Sequence, residues 1–306
     1  MVPRERLRLL WRAARLYGYR AWSSTFEENA QAARAVLRAA ARDAIAAPGP
    51  GRITVVLLSY RRGWNTALQA HLCLSTPGVE RVIVSHNDPT RPAPRLPEDP
   101  RLRLVVQPRE SGPITRYQVL RDEPGPWFLA LDDDLFLSPL QLERLSRELV
   151  RRPEVPHGLH GQLYRAGSFT DNVTRAEGEV DLLNRAYAFS AAHRDRYFEL
   201  LGELGVSSEA ELRRLDDDIV LSFCGAGRPL VHDLGPVLDC PSEARRGALW
   251  RRKDALRRRT ELTEKLLALA PRDNPGPEAR GRPLVGGPRA LWLGAPALLV
   301  RRALGR

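Results

Sequence analysis

Lysine is almost missing from this chain: Lys253 and Lys265 are the only two among 306 residues. The net charge of +11 therefore comes almost wholly from arginine. So strong a bias reads as the coding bias of an Arg- and Ala-rich genome, and it supports a nucleic-acid partner only weakly. The basic residues are spread out and no aromatic-rich strand pattern accompanies them, so nucleic acid is not an expected partner. The charge suits any anionic or phosphate-bearing ligand. Cysteine is scarce too. Cys73, Cys224 and Cys240 contain no pair at metal-site spacing, and any disulfide would leave one thiol over. They read as cytoplasmic thiols. Long apolar runs are lacking: no stretch reaches the roughly 18 residues that span a bilayer. The arginine-rich start has no apolar core or cleavage site after it, so no signal peptide is expected. The sequon Asn172-Val173-Thr174 carries little weight without one. The expected location is the cytoplasm, with peripheral membrane contact through the basic termini left open.

What is present is ordinary for a globular protein: 43% hydrophobic and 28% charged residues, enough chain for one large domain or two small ones. Residues 1–48 read as a helical extension in which Leu7, Leu9, Leu10, Ala14, Leu16 and Trp22 alternate with arginine. Such a basic amphipathic segment can lie on an anionic membrane or pack on its own domain, and the second is favoured. Ala47-Pro48-Gly49-Pro50-Gly51 ends it. The main domain then runs over 50–270. Strands are expected at 53–59, 81–84, 102–106 and 127–131, helices at 65–74, 114–120 and 139–152, and a proline-rich loop at 89–100. Strand and helix alternate as in βαβ units, which implies parallel strands. The expected fold is α/β: a mostly parallel central sheet flanked by helices, with the N-terminal helical extension. The second half is less regular, with strands at 158–164 and 180–188 and helices at 191–201, 208–215, 219–224 and 251–269. Residues 271–306 form a Pro/Gly-rich segment and an apolar, basic tail.

Two acidic triplets stand out. In Trp127-Phe128-Leu129-Ala130-Leu131-Asp132-Asp133-Asp134, five apolar residues run straight into three carboxylates. Adjacent carboxylates repel one another and are tolerable in solvent or around a cation. Strand ends in open α/β sheets bind ligands. A metal that holds a diphosphate and a solvated acidic turn are thus the two readings of this segment. Leu215-Asp216-Asp217-Asp218-Ile219 is the second triplet and opens a helix. Capping and the helix dipole favour a carboxylate there by about 1 kcal/mol, which accounts for one of the three and not for all. A functional carboxylate at this place can orient or deprotonate an acceptor hydroxyl. An EF-hand reading of the first triplet fails on its turn glycine, because Leu137 holds the sixth position. A haloacid-dehalogenase-type phosphatase would place a small or β-branched residue at Phe136 and a lysine in the sheet, and both lysines fall in the late basic helix. Transfer from an activated nucleotide needs positive charge around a diphosphate. Arg116 and the cluster at 251–259 are candidates for a guanidinium clamp, against the alternative of a solvated face.

In chain order, Ile53-Thr54-Val55-Val56-Leu57-Leu58-Ser59-Tyr60-Arg61-Arg62, Val82-Ile83-Val84-Ser85-His86-Asn87, Leu131-Asp132-Asp133-Asp134 and Asp217-Asp218-Ile219 make a series. It resembles the exostosin-type family of retaining glycosyltransferases, the family of the C-terminal heparan-sulfate N-acetylhexosaminyltransferase domain. The resemblance implies a GT-A fold, a UDP-sugar donor and manganese (or magnesium) as cofactor. It implies that Tyr60 and Arg61 meet the base and ribose, that Asn87 contacts the uracil and that Arg116 approaches the nucleotide. Asp132 and Asp133 would lie near ribose and sugar, and Asp134 would bind the metal. Asp218, with Asp217 beside it, would stand against the reacting sugar. Arg252, in Trp250-Arg251-Arg252, would hold the diphosphate. The chain departs from the family at Ser111, where an Asn is usual, at Ser85-His86, which replaces a more apolar pair, and over 158–181.

The expected activity is metal-dependent transfer of a hexose or N-acetylhexosamine to a saccharide or glycoconjugate acceptor in bacterial-type glycan synthesis, with retention. No Asp or Glu is an obvious covalent nucleophile, so front-face attack assisted by the leaving phosphate is favoured. His160 either lines the sugar pocket or is structural. The alternatives are an inverting transferase with Asp218 as base, and a non-catalytic GT-A-like carbohydrate- or membrane-associated module. The site so described requires both acidic triplets to face one cleft.

Overall fold

The computed structural model describes residues 26–42, 49, 51–165, 167–169, 173–239, 253–272 and 280–282. The first described element is helix α1 (Phe26–Ala40). Its Ala33, Val36 and Ala40 share one face at helical spacing and are buried with Leu68, Leu72, Phe136 and Leu238. This part of the N-terminal extension packs on its own domain. The earlier residues of that extension, and the tail beyond 282, lie outside the described residues.

Strand β1 (Ile53–Ser59) is apolar on both faces because both are covered. Ile53, Val55 and Leu57 face helix α2 (Gly63–Leu74) through Ala70 and Leu74. Val56 faces the other way, into a cluster with Ile83, Tyr117 and Tyr197. The chain continues through β2 (Val79–His86), β3 (Leu102–Val106), the short helix α3 (Thr115–Gln118) and β4 (Trp127–Leu131). β3, β2, β1 and β4 are all parallel, with Ser59 opposite His86 and Leu57 opposite Leu131. The chain builds outward from β1 to β2 and β3, then returns to lay β4 on the other side of β1. The C-terminal ends of β1 and β4 thus flank a topological switch point, the crevice where open α/β sheets bind ligands.

β5 (Leu135–Phe136) and α4 (Pro139–Arg151) follow, then β6 (His157–Gln162), β7 (Tyr164–Arg165), β8 (Ser168–Phe169), β9 (Val173–Glu179) and β10 (Leu182–Ser190). Helices α5 (Ala191–Glu203), α6 (Glu209–Arg214) and α7 (Asp217–Ser222) come next, then β11 (Leu230–Val231), β12 (Leu238–Asp239), α8 (Ala255–Leu269) and β13 (Arg280–Arg282). Among the described residues nine strands form one sheet, ordered β13-β9-β11-β6-β10-β4-β1-β2-β3. β10 joins the parallel half by pairing antiparallel with β4 and then with β6. The fold is α/β, a central sheet between helical layers. The expected strand at 158–164 divides into β6 and β7. β9 (VTRAEGE) was not expected, because its burial is partial and its composition polar. Among the described residues, no helix is long and apolar enough to cross a membrane.

Candidate active site between the two acidic triplets

β4 delivers Leu131 to the sheet edge, and Asp132–Asp134 turn back into β5. Helix α2 holds this turn by its backbone. Asn65 Nδ2 donates to the Asp133 carbonyl at 2.7 Å, and Gln69 Nε2 donates to the carbonyls of Asp132 and Leu135, each at 2.7 Å. From the other side the Asp132 N–H donates to the Arg185 carbonyl at 2.9 Å. Pinned in this way, Asp133 and Asp134 are buried. A solvated turn is therefore not what the first triplet forms. Its countercharge is arginine. Arg62 Nη1 donates to Asp133 Oδ1 and lies 3.3 Å from Asp134 Oδ2. Arg185 Nη2 donates to Asp134 Oδ1 at 3.0 Å. Arg116 Nη2 donates to Asp132 Oδ1 at 2.8 Å.

One of these arginines, and the residue before another, have a left-handed backbone. Arg185 has φ 72° where the β10–β6 register shifts between Asn184 and Tyr187, and such a bulge re-aims a side chain. Arg61, just before Arg62, has φ 62°. A non-glycine residue held there costs of order 1–3 kcal/mol, and such strain gathers at functional sites.

The second triplet sits at the start of α7. Asp216 is its N-cap residue but makes no side-chain cap, and Asp217 and Asp218 lie in the first turn. Capping thus explains none of the three side-chain contacts. Arg259 of α8 grips Asp218 with two hydrogen bonds, Nη1 to Oδ1 at 3.1 Å and Nη2 to Oδ2 at 2.9 Å. It also reaches Asp216 at 3.4 Å, and Arg258 lies 3.7 Å from the same carboxylate. Arg116 Nε makes an ion-pair contact of 2.9 Å with Asp217 Oδ2. One buried guanidinium therefore touches Asp132 of the first triplet and Asp217 of the second. The two triplets are thus brought together, bridged by this one side chain.

No protein-family model and no curated protein matches the chain. Among solved structures it is similar to GalNAc-T7 crystallised with UDP, GalNAc and Mn2+, at TM-score 0.41 and 10% identity over 60% of this chain and 43% of that one. It is also similar to residues 1–349 of TarS from S. aureus. With UDP-GlcNAc bound, the TarS match has TM-score 0.47 and 13% identity over 71% of this chain and 66% of that one. With UDP bound, it has TM-score 0.41 and 16% identity over 61% and 59%. The chain spans less than two thirds of the length of each.

The carboxylates of the two triplets differ in proton affinity. Burial pushes Asp133 up to about 7 against the pull of Arg62, with Asp134 adding to the rise. Burial likewise pushes Asp217 up to about 7 against Arg116, and Asp216 up to about 6. Asp134 goes the other way: burial raises it, but Arg185 and Arg62 outweigh that and hold it below the ordinary carboxylate value. It is the member of the first triplet best kept ionised.

The other expected residues lie close by. The Tyr60 N–H donates to Asp133 Oδ2 at 3.3 Å, and the exposed Arg61 guanidinium lies 4.9 Å from the Tyr60 ring centroid. Asn87, at the end of β2, is buried and uses both ends of its amide on the backbone of the following loop. It donates to Gly112 O and accepts from the Ser111 N–H, both at 2.8 Å. Ser85 and His86 are buried, and His86 Nδ1 lies 3.1 Å from Ser59 Oγ. His160 is buried and pushed down to about 3, by burial and then by the charge of Arg185, so it is neutral. Arg252 lies outside the described residues, and the arginines of α8 that reach the cleft are Arg258 and Arg259. Arg62, Arg185, Asn65 and Gln69 are the residues the sequence reading passed over. The one signal for Arg185 is a charge inside the apolar run Leu182–Ser190, since a buried charge calls for a partner.

Whether a divalent cation suits the cleft is a question of donors. Among the described residues, no group of three or more His, Cys, Asp or Glu side chains is placed to hold a metal by itself. A cation shared with a diphosphate needs only one or two protein carboxylates, the rest of its shell coming from phosphate and water. Asp134 and Asp132 supply hard oxygens for that shared mode and not for a closed cage, with both Asp134 oxygens shared with Arg185 and Arg62.

Proposed function

We propose that this chain is a GT-A-type glycosyltransferase. It moves a hexose or N-acetylhexosamine from a UDP-sugar to a saccharide or glycoconjugate acceptor, with a divalent cation and with retention. Residues 50–270 form the catalytic domain. The observation that carries this reading is the Arg116 bridge, which joins the two acidic triplets beside the switch point of the sheet.

Cleavage of the donor leaves negative charge on the departing diphosphate. A cation at Asp134 would neutralise part of it as a Lewis acid. Arg62 stands beside the same crevice as a guanidinium that can pair with phosphate oxygens, and the buried Arg116 holds Asp132 and Asp217 in place beside it. Arg259 takes the part expected of Arg252, as the described cation of the basic helix nearest Asp218. Its two hydrogen bonds fix the Asp218 carboxylate, which would orient a sugar or acceptor hydroxyl. Tyr60 and Arg61 border the nucleotide end of the cleft. Asn87 acts there through the 111–112 loop that it pins. Cys73 and Cys224 are free thiols, which suits work in the cytoplasm.

The test is a thermal-shift panel of UDP-sugars with and without MnCl2, followed by donor hydrolysis. A rise in melting temperature that needs both components, and that D134A abolishes, supports the reading. If no UDP-sugar binds or is hydrolysed, and D134A changes nothing, the enzyme reading is lost. NMR of the product anomer separates retention from inversion with an Asp218 base.

A further inference from the structure

The cation position at Asp134 is already taken by arginine. Arg185 holds one carboxylate oxygen at 3.0 Å and Arg62 stands 3.3 Å from the other. A dication cannot approach both oxygens while two guanidinium groups remain there, because like charges at such separations repel strongly in a buried site. One of them must leave, and the two are not equally free to do so. Arg185 is built into the sheet. Its carbonyl accepts from Asp132, its N–H donates to Tyr187 Oη at 2.8 Å, and its side chain is 13% exposed. Arg62 lies in the connection between β1 and α2, and its side chain is 21% exposed. The same Nη1 already serves Asp133, so a small rotation releases Asp134 without leaving the guanidinium unpaired. A diphosphate in the crevice would offer it a stronger bidentate partner.

We propose that Arg62 is an internal counter-ion that closes the Asp134 cation position until a nucleoside diphosphate draws it away. Divalent cation and diphosphate then bind with positive cooperativity. This rests on the donor-binding reading above. By linkage, whatever fraction of molecules holds Arg62 on Asp134 lowers the apparent cation affinity in proportion.

Binding of Mn2+ is followed by electron paramagnetic resonance of the free ion, with and without UDP, in the wild type, R62Q and R62K. No turnover is needed. Wild type should bind Mn2+ weakly alone and at least roughly tenfold more tightly with UDP, the factor expected if Arg62 blocks nine molecules in ten. R62Q should tighten binding of Mn2+ alone and shrink the UDP effect. R62K, a point charge unable to span two carboxylates, should fall between them and guards against misfolding of R62Q. If UDP tightens Mn2+ binding in the wild type but neither variant binds Mn2+ alone more tightly, the role of Arg62 is overturned while the donor reading stands. If no protein binds Mn2+ with or without UDP, the metal-donor reading fails and takes this inference with it.

Discussion

Arg116 has a side chain only 4% exposed and two acidic contacts on separate elements. Removing one member of a buried ion pair leaves an uncompensated charge, at about 3–5 kcal/mol. R116M should therefore lose stability of that order in urea unfolding and lose UDP binding. R116K should lose binding with less destabilisation, since an ammonium cannot span both carboxylates. Asp217 supplies a pH test. Its folded proton affinity lies near 7 against an ordinary 3.8, through burial opposed by Arg116 and reinforced by Asp218, Asp132 and Asp216. Between these values the folded protein keeps a proton that the unfolded chain has given up. This group's contribution to stability therefore falls as pH rises from about 4 to about 7. D217N removes the dependence, so its melting temperature relative to wild type should climb across that window. A constant difference would mean that Asp217 is not held as described. Residue identity made these carboxylates visible in the sequence. Of their countercharges, Arg116 and the 251–259 cluster were visible as well; Arg62 and Arg185 were not, because an arginine in a chain so rich in them carries no signal until the fold places it.

Helix α2 shows the same limit at the scale of elements. Its apolar positions Ala67, Leu68, Ala70 and Leu74 announce a buried helix, and the strands β1 to β4 announce themselves by apolar runs covered on both faces. The polar residues Asn65 and Gln69 look from sequence like a solvated stripe. In the fold they are buried and grip the backbone of the acidic turn. Strands β9, β11 and β13 were equally silent, β9 and β13 being polar and β11 only two residues long, since pairing there is set by neighbours and not by pattern. Q69L leaves the buried Leu135 carbonyl and the half-buried Asp132 carbonyl without this donor. It should cost about 1–3 kcal/mol of stability. It should also weaken UDP binding more than a surface change on α2 of equal thermal cost, because the turn loses its anchor. Equal losses in both would make Gln69 a core residue with no hold on the site.

At the scale of the molecule, the ion-paired triplets join two differently built halves. Arg62 and Asp134 follow strands of the parallel half. Arg185, Asp217, Asp218 and Arg259 come from β10, α7 and α8, beyond the antiparallel seam between β4 and β10. A ligand seated between the triplets therefore touches both halves and stabilises them as one. UDP with Mn2+ at a hundred times its dissociation constant should add about 2.7 kcal/mol. That is a rise of several degrees for a domain of this size. The transition should stay single, and amide exchange should slow both in β1–β2 and in β10–α7. A ligand that protected only the parallel half would show that the second triplet does not close on it. The joint task of Asp134 and Asp218 would then have to be given up. Protection on both sides, lost together in R116M, would make the Arg116 bridge the physical link between donor binding and the acceptor side of the cleft.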